Sequence, residues 1–254
     1  LEYAQRYEGT HDFRNLCKMD VGNGVLQFER TILSASVKPV KPQHGGSTDQ
    51  YDLYVFEVKG LAFLYHQVRC MMAVLLLIGQ KLETPEIIDQ LMDVEKNPRK
   101  PQYSMAVDYP LVLYDCHFEG LSWKQELEEV NHVLTTLQQH WTQSTVRAHV
   151  LHGMMSGLEA IDAFRTVSSS VIRFVSVLRQ KNYRPLLERP CCESLESRID
   201  HFVKRGRLER EEGEDGGETV HRGKRSKHFH NSSSPSVASE ILSLNQNTNQ
   251  NEEN

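Results

Sequence analysis

The stretch that most constrains this chain runs from Phe63 to Ile78, FLYHQVR followed by CMMAVLLLI. Its last nine residues are all apolar, so a helix over them is hydrophobic on nearly every face and has to be largely buried. Arg69 stands at the head of that helix. Between Gly60 and Leu82 there is no Asp or Glu, so Arg69 has no carboxylate at the i±3 or i±4 positions of its own helix. A buried guanidinium left unpaired is costly, and its counter-charge therefore has to arrive from elsewhere. Two readings stay open on these residues alone. Arg69 is either a structural arginine, forked onto a core carboxylate or backbone carbonyls, or the holder of a functional carboxylate.

The elements around it read as α/β. Leu1 to Glu8 reads as helical and Phe13 to Cys17 as a short helix or turn. TILSASV, from Thr31 to Val37, alternates loosely and is ended by Pro39, which predicts a strand. Lys41 to Gln50, with Gly45-Gly46-Ser47, reads as a hairpin loop, and YDLYVFEV (Tyr51 to Val58) as a second strand. The apolar helix stops at Gly79. Thr84-Pro85-Glu86 is a helix start with proline at the first position, leading IIDQLMDVE. LVLYDCHF, from Leu111 to Phe118, predicts a third strand. This order fits an α+β fold, a mostly antiparallel sheet with helices on one face.

Three segments also share an order and a spacing. Tyr7-Glu8-Gly9-Thr10-His11-Asp12-Phe13-Arg14 holds the pattern G-x-H-D-F. GLAFLYHQVRCMM holds F-L-x-x-x-V-R, and Ala106 through Pro110-Leu111-Val112-Leu113 holds a loose form of A-P-x-x-x-L-x-L. Together they resemble the tRNA pseudouridine synthases of the TruA family, over roughly residues 1–120. The eukaryotic subgroup that modifies positions 38 and 39 of the tRNA anticodon arm is the nearest match in wording.

The resemblance implies the C-terminal half of a catalytic domain, with the tRNA anticodon arm as partner and no metal or cofactor. Members isomerise uridine to pseudouridine, and the target base leaves the stack at a cost of a few kcal/mol. Their essential group is an Asp carboxylate, which an arginine holds ionised and aimed in a dry pocket. Carried onto this chain, Arg69 is the residue that pairs with that Asp, and Tyr65, Pro110 and Leu111 form one wall of the pocket. Tyr65, at i−4, is placed to stack on Arg69, while His66 reads as an ordinary core or surface histidine. The Asp-bearing loop and the pocket tyrosine of the family have no counterpart here. Asp12, Asp52, Asp108 and Asp115 lack the catalytic context, Asp12 being better read as ordering its loop. Pro110-Leu111 stands where bacterial relatives tend to have Gly-Leu. The chain opens on Leu1, with no initiator methionine and no capping residue, and reads as a C-terminal fragment that does not catalyse alone. A catalytically inactive tRNA-binding or dimerisation module is the alternative, as is a helical interaction scaffold.

Charge does not announce an RNA-binding protein. The net charge is −5, and residues 1–120 hold twelve Lys and Arg against sixteen Asp and Glu. Contact with phosphates would need a local patch. Arg14 and Lys18, Lys38 and Lys41, and the loop carrying Lys96, Arg99 and Lys100 are the candidates. The five cysteines are odd in number and show no C-x-x-C spacing, which argues for a reducing compartment and against a thiolate zinc site. Neither His149-x-x-His152 nor His228-Phe229-His230 has a carboxylate or Cys in ligand spacing, so no metal is expected. The longest apolar run is about half the ~20 residues of a membrane span. With no secretory leader pattern, the expected location is nucleus or cytoplasm.

Three regions follow. Residues 1–120 carry the resemblance, 121–207 read as a helical extension, and 208–254 as a charged, polar, disordered tail. In the extension, Trp123 to Trp141 and Ser144 to Gln180 read as long helices. Val150, Met154, Leu158, Ile161 and Phe164 recur there at helical spacing, as core packing or as a homodimer face. In the tail, Lys204-Arg205-Gly206-Arg207 and Arg222-Gly223-Lys224-Arg225 flank an acidic run, as in a bipartite nuclear signal or a merely solvated tail.

Overall fold

The computed structural model describes residues 2–40, 53–159, 183–212 and 218–222. The expected loop from Lys41 to Gln50, the Tyr51-Asp52 start of the second strand, Ile161, Phe164 and most of the tail lie outside them. The described chain divides into two units, 1–201 and 202–254.

The first unit is built on a three-stranded antiparallel sheet of order β1-β2-β3, comprising β1 (Gly9–Asp12), β2 (Glu29–Pro39) and β3 (Tyr54–Gly60). β1 is a strand that the sequence reading does not contain. GTHD has no apolar alternation, and it becomes a strand because β2 is long enough to pair Gly9 with Ile32 and Asp12 with Glu29. Gly9 makes the entry at φ +103, a conformation that residues with a Cβ rarely adopt. On the other side, β2 pairs with β3 from Ile32↔Gly60 to Pro39↔Tyr54, with a bulge between Ile32 and Ser34. Gly60 sits there because a Cβ would come within 3.1 Å of the Thr31 carbonyl.

The expected first helix is a 3-10 helix, Glu2–Tyr7. Its Tyr7 is wholly buried and donates from its hydroxyl to the carbonyl of Met71, 3.1 Å away, on α1 (Gln67–Gly79). Burial raises the Tyr7 pKa well above the ordinary phenol value. Arg6 bonds Asp89 and reaches Glu86, fixing the short α2 (Ile87–Met92) alongside. Between these elements lie Phe13, Leu16, Phe28, Ile32, Met71 and Leu91, all essentially without exposure. Each large apolar side chain so buried contributes about 1.5–3 kcal/mol. α1 is covered less completely than its composition predicts. Cys70, Met71, Ala73, Val74, Leu77 and Ile78 are buried, while Met72, Leu75 and Leu76 on the remaining side are part-exposed.

Two expectations after residue 110 are corrected. Leu111 to Phe118 is not a strand. It is coil with Val112, Leu113 and Tyr114 largely in solvent, and no neighbour among the described residues supplies the ladder that a strand needs. As far as the described residues reach, the two long helices flanking Thr142 and Gln143 are one helix, α3 (Leu127–Glu159), since neither residue stops a helix, and the expected continuation over 160–180 lies outside them.

The extension also contains a non-helical return to the body. Tyr183 donates to Glu83 at 2.5 Å, and the backbone N–H of Leu186 donates to the same carboxylate oxygen at 2.6 Å. Pro101 bridges Cys191, and the Cys192 N–H donates to the Lys100 carbonyl at 2.7 Å. This strap leads into α4 (Leu195–Lys204).

In the second unit, β4 (Leu208–Glu212) and β5 (Glu218–Arg222) pair antiparallel. The expectation of a structureless tail from residue 208 onward therefore fails for these ten residues. The two-stranded ladder satisfies backbone groups of both strands.

Candidate active site around Arg69

α1 begins in an unusual way. His66 precedes it at φ +60, the left-handed region, with Leu64, Tyr65 and His66 folded into a turn closed by the Gln67 N–H on the Leu64 carbonyl, 3.0 Å. Gln67, itself buried, accepts from the Leu64 N–H through Oε1 at 2.8 Å. A bulky residue in that region carries strain of order 1–3 kcal/mol, which the surrounding structure has to hold in place. The result is that Tyr65, His66 and Arg69 are fixed around the first turn of α1.

Arg69 is clamped to the third motif in both directions. Its Nε–H donates to the Ala106 carbonyl at 2.8 Å, and its own carbonyl accepts from the Ala106 N–H at 3.1 Å. The outer edge of the guanidinium is differently placed. Nη1 comes no nearer to Asp108 than 3.8 Å, and Asp108 is 79% exposed against 18% for the arginine side chain. A surface carboxylate at that separation contributes little. Of the two readings of Arg69, backbone carbonyl and carboxylate are thus both present, but the strong hydrogen bond uses Nε and leaves the forked edge to other partners.

Three cations act on His66. Burial and then the charges of Arg69, Lys18 and Lys100 depress the His66 pKa below its usual value, with Asp108 opposing. The ring of His66 stacks on Tyr65, centroids 3.7 Å apart at 27°, and Lys18 Nζ lies 5.6 Å from the tyrosine ring centre. The Lys18 N–H donates to the Tyr65 carbonyl at 2.9 Å, locking the two segments together. Tyr65 therefore stacks on His66 rather than on Arg69. The His66 Nδ1 is buried with no hydrogen-bond partner. An electropositive edge beside an exposed aromatic face suits an anionic group carried next to a planar ring.

The remaining candidates separate. Lys100 turns inward, where Nζ donates to the Cys17 carbonyl at 2.8 Å, lies 3.2 Å from Cys70 Sγ and sits 4.5 Å over the Tyr103 ring. Burial beside it pushes the Cys17 thiol up to about 12. Arg14 is forked onto Asp12, at 2.6 Å from Nη2, and that carboxylate also accepts the Arg14 N–H at 2.9 Å. Asp12 so orders its own turn and neutralises the cation. Lys96 pairs with Asp93 at 2.7 Å, while Arg99 is exposed on the rim of a shallow cavity of about 160 Å³ with Pro101, Leu187 and Cys191. Pro110 and Leu111 are exposed, one turn past Asp108, whose carbonyl accepts the Leu111 N–H at 2.8 Å. Of the other aspartates, Asp115 lies in the exposed coil and Asp52 outside the described residues. His66 is the residue that sequence reasoning sets aside and the structure centres. No pattern in the sequence announces its backbone conformation. Among the described residues, no three His, Cys, Asp or Glu side chains gather in a metal-binding group, and no helix is long and apolar enough to cross a membrane.

A family model for tRNA pseudouridine synthase matches residues 3–119, from the first helix to the end of the coil after Asp108. Through these residues the chain belongs to the tRNA pseudouridine synthase family. It is 53% identical over 231 residues to the tRNA pseudouridine(38/39) synthase of Homo sapiens, a match covering 82% of this chain and 48% of that relative. The tRNA pseudouridine(38/39) synthase of Saccharomyces cerevisiae is 46% identical over 122 residues, 48% of this chain and 26% of the relative. A probable tRNA pseudouridine synthase of Caenorhabditis elegans is 30% identical over 209 residues, 80% and 52%. The chain spans about half the length of the animal relatives it matches. All three pseudouridine synthase motifs, and with them Arg69, fall inside the family match.

Proposed function

We propose that this chain is the arginine-bearing half of a tRNA pseudouridine synthase, acting on uridine in the anticodon arm at positions 38/39, as its human and yeast relatives are named. The observation that carries the reading is the state of Arg69. Its Nε is fixed to the Ala106 carbonyl, while among the described residues the carboxylate nearest its forked edge is Asp108 at 3.8 Å. That edge receives the catalytic Asp from the half that this chain does not span, holding it ionised beside the target ribose. Tyr65, stacked on His66, offers its outer face to a base that has left the helix stack. Lys18 supplies charge for the adjoining phosphate, and Arg99 extends the basic surface. Arg14, Lys96 and Lys100 are engaged within the chain and serve its structure.

The working protein is a homodimer located in the nucleus or cytoplasm, in which residues 121–207 are an addition to the catalytic body. An inactive dimerisation module is the competing reading, and the exposed apolar side chains of α3 favour it.

Tritium release from tRNA labelled at C5 of uridine separates the two. This chain mixed with or fused to the Asp-bearing half of the human relative is expected to release tritium, and this chain alone is not. Release by this chain alone would place the nucleophile among its own aspartates. No release by the fused, folded protein would leave the dimerisation module.

A further inference from the structure

Lys100 sets its amine against a thiol in the interior of the body. Nζ lies 3.2 Å from Cys70 Sγ and donates to the Cys17 carbonyl at 2.8 Å. The Tyr103 ring closes another side, its centre 4.5 Å from Nζ, and the Tyr103 hydroxyl donates to the Asn15 carbonyl at 2.7 Å. Cys70 is 1% exposed, while Lys100 is half-buried and gives a small molecule a way in. Neither side chain has a part in the chemistry assigned to Arg69.

The surroundings make this pair reactive rather than merely hydrogen-bonded. Both partners are held by their backbones. The Cys70 N–H donates to the His66 carbonyl at 3.0 Å, and the Lys100 carbonyl accepts the Cys192 N–H at 2.7 Å, with Pro101 bridging Cys191 next to it. Two groups fixed in contact need no encounter before they react. Among the described residues no carboxylate forms an ion pair with Lys100, so losing its charge breaks none. The neighbouring thiol does not compete. Cys17 Sγ is turned to the Arg14 carbonyl, 3.7 Å away, and burial pushes its pKa up to about 12, far from the thiolate that attacks an oxidised sulfur.

We propose that Cys70 and Lys100 are a peroxide-sensitive modification site, at which a sulfenamide bond forms between Sγ and Nζ. Hydrogen peroxide first passes one oxygen to the Cys70 sulfur, giving a sulfenic acid and one water. The sulfur loses two electrons, and the peroxide O–O bond takes them and breaks. Lys100 then releases its ammonium proton to solvent, and free Nζ attacks the sulfur. The S–N bond forms, the S–O bond breaks, and the leaving hydroxide takes a proton from nitrogen as a second water. One thiol, one amine and one peroxide thus become one S–N bond and two waters. Two molecules of an added thiol reverse the step, restoring Cys70 and Lys100 and leaving as a disulfide. The bond would staple the loop before Pro101 to α1 one residue beyond Arg69, and would remove one of the three charges acting on His66. It stands independently of the catalytic reading of Arg69.

Peroxide treatment of the full wild-type chain, followed by digestion and mass spectrometry without reductant, tests it. The expected product is a linked pair of peptides, one holding Cys70 and one holding Lys100, lighter by two hydrogens than their sum. Dithiothreitol should abolish it. Lys100→Arg, which keeps the charge, and Cys70→Ala should each give no link. Wild-type chain treated in urea should also give none, a control that holds even where a variant does not fold. In the linked chain the NMR titration midpoint of His66 should rise. Folded wild type in which Cys70 stays reduced, or oxidises without linking, would overturn the proposal. So would a Cys17–Cys70 disulfide, or equal linking in urea. A linked pair carrying one extra oxygen would mean a sulfur–oxygen–nitrogen bridge and overturn the direct bond.

Discussion

The body around Arg69 and the long helix α3 treat apolar residues in opposite ways. In the body, Tyr7, Phe13, Leu16 and Ile88 are shut away completely, and a buried asparagine, Asn15, spends its amide on the carbonyls of Leu91 and Asn97. In α3, leucines, valines and a tryptophan stand about half in water. The match to the human relative covers 82% of the chain, far more than residues 3–119 contain, so α3 is not foreign to that relative although the family model ends before it. The contrast teaches that one region closes its apolar surface by its own packing, while the other leaves an exposed apolar surface among the described residues.

The sharpest way to break the contrast is to empty the body. Phe13→Ala should cost about 3–5 kcal/mol in urea unfolding, whereas Leu137→Ala on α3 should stay within about 0.5 kcal/mol in the separated chain. Equal losses would mean that α3 is packed after all. In the reconstituted enzyme, Arg69→Ala should lower tritium release by about 10²–10³-fold, and Arg69→Lys should recover little of it, because a point charge does not replace a fork. The strap gives a smaller effect. Tyr183→Phe removes one donor to the Glu83 carboxylate and should cost about 1.5–3 kcal/mol in the same unfolding experiment.

Two further measurements sharpen the contrast through titration. Burial first, then Arg69, Lys18 and Lys100, keep His66 below its ordinary 6.5, so its NMR titration should have a midpoint under that value and move up in Arg69→Ala. The sign for stability follows. A histidine whose folded value is lowered contributes fully above pH 6.5, and the contribution is lost as pH falls toward the folded value. The smallest effect is on thiols. Cys17, buried and pushed up to about 12, should resist alkylation at pH 8, while exposed Cys116 reacts readily.

Much of the body was legible because its signals are local. The run from Cys70 to Ile78 demands burial, and the lack of acid near Arg69 points to a distant partner. What the partner would be was not legible, since Ala106 lies 37 residues along the chain and offers a carbonyl that every residue has. Lys100 reads as a loop cation because its sequence neighbours are Arg99 and Pro101, yet the Cys17 carbonyl and the Tyr103 ring draw it inward. The expectation of a strand from Leu111 to Phe118 failed for a related reason. A strand is a property of a pair, and one sequence segment states only half of it. His66 escaped because a left-handed backbone is not encoded by histidine itself.

The strap that returns at Tyr183 gives α3 a particular standing in the chain. Because the polypeptide leaves the body after Ala106–Pro110 and is pinned again through Glu83, Pro101 and Lys100, the helix is an inserted loop anchored at both ends rather than a trailing arm. Lengthening such a loop twofold costs only about 0.6 kcal/mol in closure entropy. A lineage can therefore extend, shorten or exchange this segment while the packing around Arg69 is carried along unaltered.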